Sequence, residues 1–246
     1  MERSIIRLDR VDSTNNYIRQ FSQHGLVVVA DSQTDGRGRQ GRSFQSVPGK
    51  GLYFSVLLKP QVSVAQVFSL TPVAAQAVCD GIQTLTGHRP GIKWINDLIL
   101  EGRKICGILT ELTLTSEGEV DSLILGVGVN VNQTLEEFDD QLRDKAGSLV
   151  MATGQSWDRE ALLEAVLNAL DTRLEGWLQG DADLEGYRAD CLTLGREVRV
   201  LRGGESRPAF AETVDDEFAL VVRYPDGRRE KLSSGEVFIR GREGYL

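Results

Sequence analysis

The segment DGRGRQGRSF, residues 35 to 44, sets three arginines among three glycines. The glycines free the backbone to approach a ligand closely and to expose N–H donors. The guanidinium forks suit carboxylates and phosphates. A loop of this kind between two strands is expected to be mobile when empty and ordered when an anion arrives. The G-x-x-x-x-G-K-[ST] spacing of a P-loop is absent, and alone the segment reads equally as a solvated turn or an RNA-binding RGG fragment.

Three further segments carry groups that could act with it. Lys93-Trp94-Ile95-Asn96-Asp97 places a lysine, an amide and a carboxylate within five residues at a strand junction. Lysine can neutralise a phosphate and aspartate can hold Mg²⁺ or position a lysine, although N-D pairs are also common in plain surface turns. In RKICGIL, residues 103 to 109, Lys104 opens an apolar strand. It is either an edge residue snorkelling to water or a fixed charge over a substrate carboxylate, with Gly107 clearing room. In GVGVNV, residues 126 to 131, the strand period puts Val127, Val129 and Val131 on one face and Gly126, Gly128 and Asn130 on the other. The bare face is a floor for a flat ligand or the seat of a closely packed helix.

The totals narrow the chemistry. A formal net charge of -8 over 246 residues argues against a general nucleic-acid binder, so any basic site must be local. His24 and His88 are the only histidines, and neither lies near a plausible nucleophile, which sets aside Ser-His-Asp, Cys-His and histidine-metal chemistry. Cys79, Cys106 and Cys191 form no C-x-x-C pair, so neither a disulfide framework nor a zinc site is expected, and Cys106 reads as a packing residue. No stretch approaches the roughly 18 apolar residues of a membrane span, so a soluble, cytoplasmic chain with no membrane partner is expected.

The elements that must position these groups follow from periodicity. VDSTNNYIRQFSQ reads as a turn entering a short helix capped by Asp12, Ser13 or Thr14, and LVVVA and GLYFSVLL as strands. Helical spacing runs from about Val64 to Leu85. GIKWI, DLILE, KICGILTELTLT and VDSLILGVGVNV follow as strands with turns at EGR and SEGE. A long helix capped by Ser156 and a shorter one over DADLEGYRAD come next. From about Leu194 the short strands REVRVL, AFAETV, FALVVRY, EKLSS and VFIRG have the texture of a small SH3-like barrel packed directly on the rest. The expected class is α+β, a mixed β-sheet backed by helices plus a C-terminal SH3-like β-barrel, divided at residues 1–190 and 191–246.

Taken together, DSTN, GRGRQGR, KWINDL, RKICGIL and GVGVNV occur in the order and approximate spacing found in biotin protein ligases, and the chain resembles that family over nearly its whole length. The resemblance implies a fold related to class II aminoacyl-tRNA synthetases and lipoate ligases. It implies activation of biotin by Mg²⁺-ATP to biotinyl-5′-AMP, then transfer to a lysine of a biotin carboxyl carrier domain of a carboxylase. Lys104, Arg39 and Asp97 are the implied catalytic residues. Ser13, Thr14, Asn15, Gln33, Arg37, Gly38, Arg39, Lys104 and Gly107 are implied for biotin. Arg37, Arg39, Arg42, Phe44, Lys93, Asn96 and Asn130 are implied for ATP, and Asp97 for Mg²⁺.

Two departures stand out: Phe44 occupies the place of a tryptophan that stacks on adenine in many members, and Ile95 that of a proline. Only 12 residues precede Ser13, so no DNA-binding helix-turn-helix and no specific DNA partner are expected; the family implies a monomer or homodimer. The rival readings are a lipoate or octanoate transferase on the same fold, whose R-R-x-x-G-G-G run is lacking here, and a non-catalytic anion-binding module.

Overall fold

The computed structural model describes residues 3–233 and 238–241. Strand β1 (Ile5–Val11) pairs in parallel with β2 (Val27–Gln33), the two joined through helix α1 (Thr14–Ile18). Strand β3 (Gly51–Leu58) is buried at every position. The helical spacing from Val64 resolves into α2 (Val64–Val67) and α3 (Leu70–Thr86); Ser63 Oγ accepts from Gln66 N at 3.2 Å to start the first. A meander follows: β4 (Gly91–Lys93), β5 (Asp97–Leu100), β6 (Arg103–Leu114) and β7 (Val120–Asn130). Glu101 and Gly102, both at positive φ (49° and 72°), make the tight turn between β5 and β6 that the EGR triplet predicts.

These strands form one seven-stranded sheet in the order β1-β2-β3-β7-β6-β5-β4. Its two faces are built differently. On one, Val27, Phe54, Val56, Ile108, Val127 and Val129 pack beneath α3 and α5 (Arg159–Leu178). The two helices cross closely at Gly81, where a Cβ would meet Val166 Cα at 2.7 Å. On the other face only a small group of Ile18, Leu26, Val28, Leu57 and Ile124 closes beneath α1, and the rest of that face is left for other uses.

The long helix is capped by Asp158, not Ser156 as the sequence suggests: its Oδ1 accepts from Glu160 N at 2.7 Å and Ala161 N at 3.1 Å. A carboxylate beside the positive helix end is favoured over a hydroxyl two residues earlier. Helices α4 (Leu149–Thr153) and α6 (Leu184–Asp190) complete the helical set.

The C-terminal sheet runs β11-β10-β9-β8-β12, with β8 (Glu197–Arg202), β9 (Glu205–Val214), β10 (Leu220–Arg223), β11 (Arg229–Leu232) and β12 (Phe238–Gly241), all neighbours antiparallel. The expected EKLSS and VFIRG strands extend into 234–237, outside the described residues. This sheet docks on the KWIND segment. Trp94 N donates to Thr193 Oγ1 at 2.9 Å and Trp94 Nε1 to Phe218 O at 3.0 Å, while the Phe218 ring meets Tyr187 edge-on at 5.2 Å. Phe218 holds this position at φ 59°, a left-handed conformation that costs a bulky residue on the order of 1 kcal/mol and so needs the surrounding packing to persist.

Candidate active site

The site occupies the sheet face left uncovered by α1. Ser55 on β3 lies opposite Gly126 on β7, and Gly128 lies opposite Gly107 on β6, so small residues adjoin across three strands. Their missing bulk is used at once. A Cβ on Gly128 would come within 2.7 Å of Phe44 Cε1, and one on Gly126 within 2.2 Å of Asn15 Oδ1. The floor foreseen for a flat group therefore carries the Phe44 ring, which also meets the Tyr53 ring edge-on at 6.2 Å.

Phe44 is delivered by the arginine-glycine loop, which is folded as a narrow hairpin. Phe44 N donates to Gly36 O at 2.7 Å and Gly38 N to Arg42 O at 2.6 Å, around a 3-10 turn over Arg39–Gly41. Glycine is required at 36, where a Cβ would sit 2.4 Å from Phe44 O, and at 41, where φ is +73°. The turn aims Arg39 inward, and its Nη1 donates to Asn96 Oδ1 at 3.0 Å. Burial lowers the guanidinium pKa from its ordinary value, while the charge of Asp97 pulls the other way. Arg37 stays near the rim, 4.0 Å from Asp35.

Asn96 is itself clamped, its Nδ2 donating to Ile108 O and its carbonyl accepting from Ile108 N, both at 3.0 Å. That pair of hydrogen bonds to β6 fixes the acceptor that Arg39 finds. Lys93, on β4, is buried with 5% exposure, and the peptide joining Trp94 to Ile95 is cis. Lys104 folds back along β6 so that Nζ pairs with Asp97 Oδ1 at 2.6 Å, and Gly107 makes this possible, since its Cβ would lie 3.3 Å from both Nζ and Phe44 Cε2.

The opposite end of the cavity is neutral. Thr14 N donates to Gln33 Oε1 at 2.9 Å, and Gln33 Nε2 donates to Ser46 Oγ at 3.0 Å. Ser55 Oγ lies 2.7 Å from Thr14 Oγ1 and 2.5 Å from Asn15 Oδ1, and Asn15 Nδ2 donates to Glu111 Oε2 at 2.7 Å. Ser13, Thr14 and Asn15 are all at most 4% exposed.

One cavity is thus lined by Ser13, Thr14, Asn15, Gln33, Arg37, Gly38, Arg39, Arg42, Phe44, Lys93, Asn96, Asp97, Lys104 and Gly107. Asn130, expected to line it as well, does not. Its Nδ2 donates to Gly147 O at 2.9 Å and its Oδ1 accepts from Gln133 Nε2 at 3.2 Å, so the loop after β7 consumes the amide. The expected Mg²⁺ ligand fits poorly too. Asp97 is the one carboxylate among the lining residues and is tied to Lys104; no group of three or more His, Cys, Asp or Glu side chains that could hold a metal occurs among the described residues. The residues present thus offer no protein cage for a magnesium ion.

Cys106 is fully buried, and burial pushes its thiol well above the ordinary range, which suits the packing role. His24 and His88 are exposed and lie outside the cavity. Among the described residues no helix is long and apolar enough to cross a membrane. Sequence reasoning missed Ser55 and Glu111. Each carried a signal: Ser55 is the one aliphatic hydroxyl in the apolar run GLYFSVLL, and Glu111 the one carboxylate in KICGILTELTLT.

Comparison with known proteins gives a consistent answer. The biotin/lipoate A/B protein ligase family matches residues 8–130, and the biotin protein ligase C terminal domain matches residues 193–240. The chain is 32% identical over 240 residues to the bifunctional ligase/repressor BirA of Bacillus subtilis, covering 95% of this chain and 74% of that one. It is 31% identical over 252 residues to the biotin--[acetyl-CoA-carboxylase] ligase of Paracoccus denitrificans, covering 95% of this chain and all of the other. The structure of the Aquifex aeolicus biotin protein ligase in complex with biotin and ATP superposes with a TM-score of 0.83 at 31% identity, covering 96% of this chain and 98% of that one.

Proposed function

Because this chain belongs to the biotin/lipoate A/B protein ligase family, we propose that it is a biotin--[acetyl-CoA-carboxylase] ligase that activates biotin with Mg-ATP and transfers it to a carrier lysine, with residues 1–190 as the catalytic domain and 191–246 as a C-terminal SH3-like domain. Biotin is the substrate its named relatives share. In the first step a biotin carboxylate oxygen attacks the α-phosphorus of ATP, the bond to the β,γ-diphosphate breaks, and biotinyl-5′-AMP and pyrophosphate form. In the second, the neutral amine of a carrier lysine attacks the anhydride carbonyl, AMP leaves, and the amine gives up a proton.

Both reactants of the first step are anions, so the barrier lies largely in bringing them together, and fixed cations offset that repulsion without a covalent enzyme intermediate. Lys104, held over Gly107 by Asp97 before any ligand arrives, is placed for the biotin carboxylate. Arg39, steadied by Asn96, faces the α-phosphate, and Lys93 and Arg42 face the remaining phosphates. Ser13, Thr14, Asn15 and Gln33 take the ureido head of biotin, and Arg37 and Gly38 cover it. Phe44 offers a ring to adenine. When the carboxylate draws Lys104 away, Asp97 is released to orient the incoming lysine. The loop keeps water from an anhydride that hydrolyses readily.

The observation that carries the reading is the convergence of Arg39, Lys93 and Lys104, from three separate chain segments, on one cavity. Its test is incubation of the protein with biotin, Mg-ATP and a biotin carboxyl carrier domain, followed by mass spectrometry. A biotin adduct on one carrier lysine supports the reading. An unmodified carrier, or the same carrier bearing lipoate when both acids are supplied, refutes it.

A further inference from the structure

The neutral end of the cavity contains a chain of polar groups whose protons can be placed by elimination. Glu111, paired with Arg19 at 2.6 Å, is a carboxylate and only accepts. Asn15 must therefore turn its NH₂ toward Glu111, at 2.7 Å, which leaves its carbonyl oxygen facing Ser55 Oγ at 2.5 Å. That oxygen has no proton, so Ser55 donates its only one there. Thr14 Oγ1 lies 2.7 Å from Ser55 Oγ, and with the serine proton spent the threonine must be the donor. Gln33 Oε1, at 3.2 Å from Thr14 Oγ1, already receives Thr14 N at 2.9 Å and competes weakly for that proton. The Ser55 and Thr14 hydroxyl protons are both spent within this chain, and Thr14, which lines the cavity, keeps only lone pairs on Oγ1 to offer it.

We propose that Glu111, acting through Asn15 and Ser55, sets Thr14 Oγ1 as an obligate hydrogen-bond acceptor and so selects a ligand whose head carries an N–H donor. This inference rests on the biotin reading and adds two positioning residues to it. Ser55 is completely buried and Glu111 belongs to β6, so neither needs to touch ligand to act. Gly126 protects the arrangement, since any Cβ there would strike Asn15 Oδ1. A ureido N–H satisfies the waiting acceptor. A dithiolane head such as lipoate leaves it buried and unpaired, and a site built to bond an N–H rejects the analogue lacking one.

The test uses the intact protein and biotin-dependent pyrophosphate exchange, with Glu111→Gln, Ser55→Ala and the pair combined. Glutamine is nearly isosteric but can donate as well as accept, so the proton order is no longer forced. Each single variant is expected to raise the KM for biotin about tenfold, the weight of one buried hydrogen bond, with little change in the KM for ATP or in kcat. The double variant should be no worse than the poorer single one, because both break the same chain. Biotin methylated on its ureido nitrogens gives a further readout: wild type should reject it, and the variants should discriminate against it several-fold less.

An unchanged KM for biotin in Glu111→Gln, or additive effects in the double variant, overturns the inference. If Ser55→Ala does not fold, Glu111→Gln with the methylated ligand decides alone. Absence of biotin-dependent exchange in the wild type would instead refute the reading beneath it, so the two failures are distinguishable.

Discussion

The two ends of the cavity recognise by different physics. At one end Arg39, Lys93, Lys104 and Asp97 meet as full charges, with Lys104 and Asp97 in contact at 2.6 Å. At the other, Thr14, Asn15 and Ser55 are neutral and buried, Gln33 is half-buried, and all four are joined by short directional bonds. Charge acts over a distance and tolerates small errors of placement, whereas a neutral hydrogen bond needs its partner within a few tenths of an ångström and an angle near linear. One end is therefore suited to stabilising a reaction, the other to selecting a molecule.

The comparison is broken most severely at the charged end. Lys104→Ala removes the cation over the carboxylate and leaves Asp97 facing an anion; adenylate formation in single turnover should fall by about 10²- to 10³-fold, with a smaller change in biotin affinity. Arg39→Ala should slow adenylation less, by about tenfold, and let the product escape: free biotinyl-AMP appears in solution and its ratio to modified carrier rises, as chromatography would register. A subtler test uses salt. Between low and high ionic strength, ATP binding should weaken severalfold, while biotinol, which keeps the ureido head but lacks the carboxylate, should bind almost unchanged in calorimetry.

The smallest expected effect lies away from the cavity. Asp183 caps α6 through Gly186 N and pairs with Arg173. Burial works to raise its pKa, but the Arg173 and Gly186 bonds hold the carboxyl below its ordinary 3.8 on balance. A depressed carboxylate contributes stability above its unfolded value and loses it as pH falls through the folded one. Asp183→Asn should therefore lower the melting temperature by about 1 to 3 °C at neutral pH, and the gap from wild type should narrow as pH falls below the ordinary 3.8 and through the depressed folded-state value. A gap that widens on acidification would contradict the assignment.

Elements whose burial is uniform were legible in the sequence. Strand β3 coincides with GLYFSVLL because every side chain in it is inside. Strand β1, IIRLDRV, escaped notice: as the edge strand of the sheet it carries charge at three of its seven positions, and the pairing with β2 that defines it is set by a parallel crossover that periodicity does not reveal. The cap at Asp158 was misread for a local reason, since Ser156 and Asp158 are both competent and only the geometry of the turn chooses.

In the site, the arginine-glycine loop was ambiguous alone, and the charged groups that share the cavity were picked out because GRGRQGR, KWINDL and RKICGIL occur together and in order. Asn130 lies off the cavity because strand parity gives a face but not which neighbour reaches the amide first. Ser55 and Glu111 escaped because their roles exist only through Asn15, a contact between three separate elements.

The central claim is that cations from separate segments join a biotin carboxylate to a nucleotide, and exchange of labelled pyrophosphate into ATP tests it most directly. Wild-type protein should catalyse exchange with biotin and not with lipoate, and Lys104→Ala should abolish most of it. Exchange that needs no biotin, or that persists at the wild-type rate in Lys104→Ala, would contradict the account.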